Sequence, residues 1–166
     1  MAKKSSSQSG VVRIALIGAG RAGMIHARNF RTAVDHCRLA AVADPVESAA
    51  EEAARTLEVN TYYTDYRELL QDDGIDAVVI ATPTKYHCEI AAAAAAAGKH
   101  IFCEKPMAMT YEECLVMENA AKEHHVKLQI GFMRRFDTAF TEAKKVIDSG
   151  AIGDVVMVRS NTRGPS

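Results

Sequence analysis

Three things are scarce or missing in this 166-residue sequence. The first is an excess of charge. Twenty Lys and Arg stand against 21 Asp and Glu, for a net charge of −1. No general electrostatic pull toward nucleic acid or an anionic membrane surface is expected from such a balance. The second is a long hydrophobic run: none approaches the roughly 20 residues that a membrane-spanning helix needs. The third is clustered cysteine. Cys37, Cys88, Cys103 and Cys114 form no C-x-x-C pair, so neither a zinc-finger framework nor a dithiol redox motif is indicated. His124 and His125 are neighbours at a predicted helix end. Adjacent helical positions point about 100° apart, which makes them poor joint ligands. No metal is expected, and the thiols read as reduced. The opening "MAKKSSSQSG" is polar and lacks the apolar core of a secretory signal. Residues 1–10 read as a disordered leader, and a cytoplasmic location follows.

What is present is the composition of an ordinary globular domain, 48% hydrophobic and 25% charged. "VVRIALI" at 11–17 is a run of β-branched and aliphatic residues, the pattern of a buried strand. "RLAAVAD" at 38–44, "DAVVIATP" at 76–83, "HIFCE" at 100–104 and "KLQIGFM" at 127–133 read the same way, with a short extended piece at "NTYYTD". Helices are predicted between them. One runs to about Ala33, and one from Pro45 to about Leu57. A short one covers "YRELLQ". Another contains the alanine run 91–97, capped by Thr82 or Thr84 and ended by Gly98. The helix over 110–125 opens on Thr110 with Glu113 three residues on, a capping-box spacing. Another runs from Asp137 to Ser149 and closes at Gly150, and "DVVMVRS" at 154–160 reads as a last strand. The strands are continuously apolar rather than alternating, as in a parallel sheet covered on both faces. Right-handed crossovers then leave a doubly wound α/β sheet of Rossmann type as the simplest topology.

"GAGRAG" at 18–23 follows the first strand and opens a helix, which is the context a G-x-G-x-x-G needs in order to bind a dinucleotide. Gly18 would make the tight turn, Gly20 would let the backbone approach a pyrophosphate, and Gly23 would bring helix and strand together. Arg21, Ala22 and Met24 share the first helical turn, whose N–H groups and partial positive charge suit phosphate. Asp44 ends the second strand 21 residues after Gly23, against an expected separation of about 20. Its carboxylate would accept a ribose 2′-OH and repel a 2′-phosphate. Pro45 and Val46 follow it, with no arginine to offset that repulsion. The expected cofactor is NAD rather than NADP. Flavin and S-adenosylmethionine sites use similar glycine turns and remain competing readings of these residues alone.

Three further stretches resemble the Gfo/Idh/MocA oxidoreductases. "AVVIATPTKYHCEIA" is similar to their fourth-strand motif, with Thr82, Pro83 and His87 in the matching places. "AGKHIFCEKPMAMT" resembles their Glu-Lys-Pro motif, with Glu104, Lys105 and Pro106. "IGFMRRFD" and the closing "VRSNTRGPS" resemble the myo-inositol 2-dehydrogenase branch. Where many members have Asn, this chain has Thr84. The resemblance covers nearly all of residues 11–166. It implies an N-terminal dinucleotide-binding domain (11–136), then a larger substrate domain of which 137–166 would be the linking helix and first strand.

The resemblance further implies hydride transfer between NAD and a hydroxyl carbon of a polyol or sugar. Lys105 would be the catalytic residue, hydrogen-bonded to the reacting hydroxyl. Glu104 would meet the cofactor ribose or orient the lysine. Thr82 and Pro83 would border the nicotinamide ribose, and His87 would face the cofactor. Arg134 would reach substrate or nicotinamide, or else pair with Asp137. Members also carry an Asp-x-x-x-His pair in the second domain whose histidine is the general base. No such pair occurs here. The expectation is therefore a fragment of a longer dehydrogenase, a poor catalyst alone, whose oligomer would need the second domain or a partner chain. The alternative is a non-catalytic NAD-binding module acting with a partner chain.

Overall fold

A computed structural model describes residues 10–161; the predicted leader falls almost entirely outside them. Six strands are present: β1 (Val12–Ile17), β2 (Cys37–Ala43), β3 (Tyr62–Tyr63), β4 (Ala77–Ile80), β5 (His100–Cys103) and β6 (Leu128–Ile130). They form one sheet in the order β3-β2-β1-β4-β5-β6, and every pair is parallel. This is the doubly wound Rossmann order, with the reversal between β1 and β4. The helices are α1 (Arg21–Thr32), α2 (Glu47–Thr56), α3 (Tyr66–Leu70), α4 (His87–Ala96), α5 (Tyr111–Glu123) and α6 (Thr138–Asp148).

The uninterrupted apolar runs of the strands are explained by two separate cores. Ile14 and Leu16 point to one face and pack with Ala27 of α1 and Ala53 of α2. Ala15 and Ile17 point to the other and join Leu69, Ile90, Ala91 and Met117 of α3, α4 and α5. Alternate residues from Ile14 to Ile17 thus serve opposite layers, and the one charged side chain of β1, Arg13, stands at its amino end. The alanine run of α4 does what small residues do best. Ala91, Ala94 and Ala95 are buried, so the helix lies close to the sheet. Gly98 ends it at φ 69°, a left-handed conformation that costs glycine little.

Local signals place the other boundaries. Thr110 accepts the Glu113 N–H at 3.2 Å, and Glu113 Oε2 accepts the Met109 N–H at 2.8 Å, a reciprocal cap on α5. Asp65 caps α3, accepting from the Arg67 N–H at 2.8 Å. Neither Thr82 nor Thr84 caps α4. A 3₁₀ turn over Thr84–Tyr86 leads into that helix instead, with Pro83 ahead of it and no side-chain cap.

The chain divides into two compact units, at Gly131 and Phe132. In the second, a 3₁₀ turn over Met133–Arg135 precedes α6. Asp137 caps that helix, accepting from the N–H groups of Ala139 and Phe140. The strand expected at 154–160 does not form: the segment is irregular, and Val156 is 95% exposed. An apolar run becomes a strand only when a neighbour supplies the other half of the ladder, and no strand lies beside it among the described residues. None of the described helices is long and apolar enough to cross a membrane.

Candidate functional site

β1, β2, β4 and β5 all deliver a predicted site residue at their carboxyl ends, where open α/β sheets bind ligands. β1 ends in the glycine loop. Gly18 has φ 97°, and a Cβ on it would lie 2.9 Å from the carbonyl carbon and oxygen of Ala81 and from the Thr82 nitrogen. The residue is thus fixed as glycine both by its conformation and by the nearness of β4. A Cβ on Gly23 would come within 2.0 Å of the Gly18 oxygen, so this third glycine seats α1 directly on the turn. Above Gly20 there is only open space within 4 Å, and α1 starts there with no side-chain cap and no acid in its first turn. Its leading N–H groups have no intrahelical acceptors. Met24 makes the first such bond, to Gly20 O at 3.0 Å. Arg21 and Ala22 stand in that first turn.

Asp44, at the end of β2, spans the loop. Its Oδ2 accepts the Ala19 N–H at 2.9 Å and its Oδ1 accepts the Val46 N–H at 3.0 Å. Each carboxylate oxygen keeps a second lone pair. Asp44 lines a cleft of about 380 Å³ together with Gly18, Pro45, Thr82 and Tyr86. Thr82, just past β4, contributes a feature that the sequence does not reveal. Its Oγ1 is buried and has no hydrogen-bond partner among the described residues. An orphaned buried hydroxyl is uncommon, and one that lines a cleft is suited to a polar ligand.

The far wall of the cleft is built by Tyr66, Arg67 and Glu89. Glu89 Oε1 accepts from the Tyr66 hydroxyl and from Arg67 Nη2, both at 2.6 Å, while the guanidinium lies 4.6 Å from the Tyr66 ring centre. Burial, and then the bond to Glu89, push the Tyr66 hydroxyl up to about 12. Sequence reading missed this wall, because its members lie on two helices brought together only by the crossover.

β5 ends in the Glu104–Lys105–Pro106 turn. Lys105 is exposed, and the Lys105–Pro106 peptide bond is cis. Beneath the turn Cys103 is fully buried. Burial first, and then the charge of Glu104, push its thiol up to about 12, so it is inert as a nucleophile. Glu104 is held on both oxygens: Oε1 lies 2.7 Å from His26 Nε2 of α1, and Oε2 accepts the Lys105 backbone N–H at 2.8 Å. The contact to Lys105 is made by its backbone N–H. His26 was missed in the sequence. The signal was there, since it sits in the helical stripe Gly23, His26, Ala27, Phe30 that faces the sheet.

His87 requires a correction. It was expected to face the cofactor, but it is 1% exposed. Its Nδ1 lies 3.0 Å from the Pro106 carbonyl oxygen and its Nε2 lies 2.9 Å from that of Thr82. Both ring nitrogens are engaged by the backbone, so the ring ties the end of β4 to the Glu-Lys-Pro turn and has no polar atom left for a ligand. Pro83 is exposed beside Thr82. Arg134 belongs to the second unit. Its guanidinium lies 5.0 Å from the Phe140 ring centre, and no Arg134–Asp137 ion pair forms among the described residues.

A glycine cradle with open space at a helix N-terminus, an acid at the end of β2 and an orphaned hydroxyl across the cleft define a dinucleotide-binding domain. The particular kind follows from comparison. Residues 12–132 match the model of the Gfo/Idh/MocA oxidoreductase family, NAD-binding Rossmann fold, and the chain belongs to that family. It is 44% identical over 152 residues to a scyllo-inositol 2-dehydrogenase (NAD(+)) of Bacillus subtilis, covering 92% of this chain and 44% of that protein. It is 37% identical over 155 residues to a myo-inositol 2-dehydrogenase of Thermotoga maritima, covering 93% of this chain and 46% of the other. Among solved structures it resembles scyllo-inositol dehydrogenase from Lactobacillus casei with bound NAD(H) and scyllo-inositol. The TM-score there is 0.82 at 36% identity, over 87% of this chain and 43% of that one. The chain thus spans less than half the length of these relatives. Its cofactor is NAD.

Proposed function

We propose that this chain supplies the NAD site and the catalytic lysine of a polyol dehydrogenase acting on an inositol or a similar cyclic polyol. The observation that carries the reading is the convergence of the glycine loop, Asp44, Thr82 and Lys105 on one end of one sheet. The names of its relatives direct the choice of substrate. When bound, NAD would supply the hydride acceptor. The residues of the chain do the rest. The free N–H groups at the start of α1 would take the pyrophosphate over Gly20, with Arg21, Ala22, Gly23 and Met24 forming the turn beneath it. The second lone pairs of Asp44 would accept the ribose hydroxyls, and a 2′-phosphate would meet its negative charge. Thr82, with Pro83 beside it, would border the nicotinamide ribose, which would give the orphaned hydroxyl a partner. Lys105 would hydrogen-bond the hydroxyl to be oxidised and stabilise its oxygen while a general base, by family resemblance the histidine of a second domain, takes the proton.

A thermal-shift titration with NAD, NADP and S-adenosylmethionine tests the site. Binding to the folded state alone adds RT ln(1 + [L]/Kd), about 2.7 kcal/mol at ~100 Kd. An upward shift with NAD, with little response to the other two, is the expected result. A cooperative melt that none of them moves would sink the reading. NADH formation on adding myo- or scyllo-inositol then separates a catalyst from a binding module, which would bind NAD and turn nothing over.

A further inference from the structure

The Glu-Lys-Pro turn is gripped from both faces of the sheet. On the α4 side, buried His87 fixes the Pro106 carbonyl at 3.0 Å. On the α1 side, His26 reaches Glu104 across 78 positions of sequence at 2.7 Å. Its ring also packs edge-on against Phe102, with centroids 5.1 Å apart. The two side chains are largely shielded, His26 at 22% and Glu104 at 19% relative exposure. Low exposure strengthens a charge-assisted contact and raises the cost of losing one partner. The Glu104 side chain has only two polar atoms. One meets His26, and the other receives the N–H of Lys105. If His26 were removed, the carboxylate would be free to rotate away from the Lys105 N–H.

We propose that His26 is a positioning residue for Lys105, acting through the Glu104 carboxylate. His87 holds the proline end of the turn by its carbonyl, and His26 holds the glutamate end, while the Lys105 side chain between them is exposed. His26 also stands on the helix whose N-terminus would carry the pyrophosphate. The same rigid element therefore places the cofactor and indexes the lysine against it. The value of this arrangement rests on the catalytic reading of Lys105 above, but its geometry is tested without any cofactor.

The test uses the labelled 166-residue chain and amide hydrogen exchange read by NMR. His26→Leu removes the ring nitrogens while keeping an apolar body against Phe102. It is expected to speed exchange of the Lys105 amide about tenfold or more, the scale of one hydrogen bond to a charged group. The amides of Gly18 and Val79 should keep their protection. His26→Gln, which returns an N–H donor, should recover most of the Lys105 protection. A folded His26→Leu chain with unchanged Lys105 exchange would overturn the proposal. So would equal loss in His26→Leu and His26→Gln, which marks a packing role only. Should His26→Leu fail to fold, Glu104→Gln serves in its place: the His26 ring nitrogen signals must move while those of His87 stay, and an unmoved His26 overturns the idea. Failure of wild-type chain to bind NAD would count against the proposed function and leave these readouts standing.

Discussion

At the amino ends of the strands, polar groups are paired with one another. Arg13 on β1 makes a two-pronged contact with Asp76 ahead of β4, Nη2 to Oδ1 at 2.7 Å and Nε to Oδ2 at 2.9 Å. Lys99, ahead of β5 and only 6% exposed, donates to the carbonyls of Asp72 and Ile75 at 2.7 and 2.9 Å. At the carboxyl ends pairs also form, as at Asp44 and Glu104, but some capacity is left over. Among the described residues, a helix begins without a side-chain cap, a buried threonine hydroxyl lacks a partner, and a lysine stands exposed. Both ends are made by the same strands and similar loops. Unmet hydrogen-bonding capacity is therefore a property of position on the sheet, and it concentrates where a ligand would meet it. One end closes the fold, and the other is left chemically incomplete.

The comparison can be broken most severely at Gly23. Its side-chain position is filled by the Gly18 carbonyl, so Gly23→Ala must push helix and loop apart. A loss of about 3 kcal/mol in denaturant unfolding is expected, together with loss of any NAD-dependent shift in melting. Lys99→Met attacks the closed end instead. Leaving two carbonyls without their donor should cost about 1–3 kcal/mol. The NAD midpoint measured on the folded variant should stay where it was, because the ends are separate; a changed midpoint would show that they are coupled. Asp76 gives the finest test. Its hydrogen bonds from the Arg13 side chain, foremost, hold its carboxyl below the ordinary value of 3.8. A depressed acid adds stability that is complete above its unfolded value and disappears as pH falls through the folded one. Wild type should therefore exceed Asp76→Asn in stability at neutral pH, and the gap should close below about pH 4. An equal gap at pH 7 and pH 2 would deny the ion pair any part.

Much of this contrast was legible in the sequence, and the reasons differ by region. β1, the alanine helix ended by Gly98 and the glycine loop are local patterns, in which a few adjacent residues carry the whole signal. Asp44 was found by a fixed spacing from the loop. The contacts that organise the turn after β5 were not legible. His26 and Glu104 are far apart in sequence, and a histidine on an amphipathic stripe has the same signature whether it meets a carboxylate or only fills space. His87 was placed toward the ligand because its helical position allowed either direction; burial against two carbonyls decides it. "VVMV" at 155–158 failed for the opposite reason. Its composition is that of a strand, but a strand is a relation between two segments, and composition reports only one.

Asp44 deserves a last consequence. Engineers seeking to change the nicotinamide coenzyme a dehydrogenase accepts commonly think first of the acid that would exclude the extra phosphate. Here Asp44, the acid proposed for that part, also ties the Ala19 N–H to the Val46 N–H, and so serves as a strut for the glycine loop. Exchanging it for a neutral or basic residue alters two functions in one step, and the weaker binding that results would be misread as poor recognition of the new coenzyme. A successful redesign has to rebuild the strut first, with a side chain that can still accept from Ala19, and only then add a cation for the phosphate.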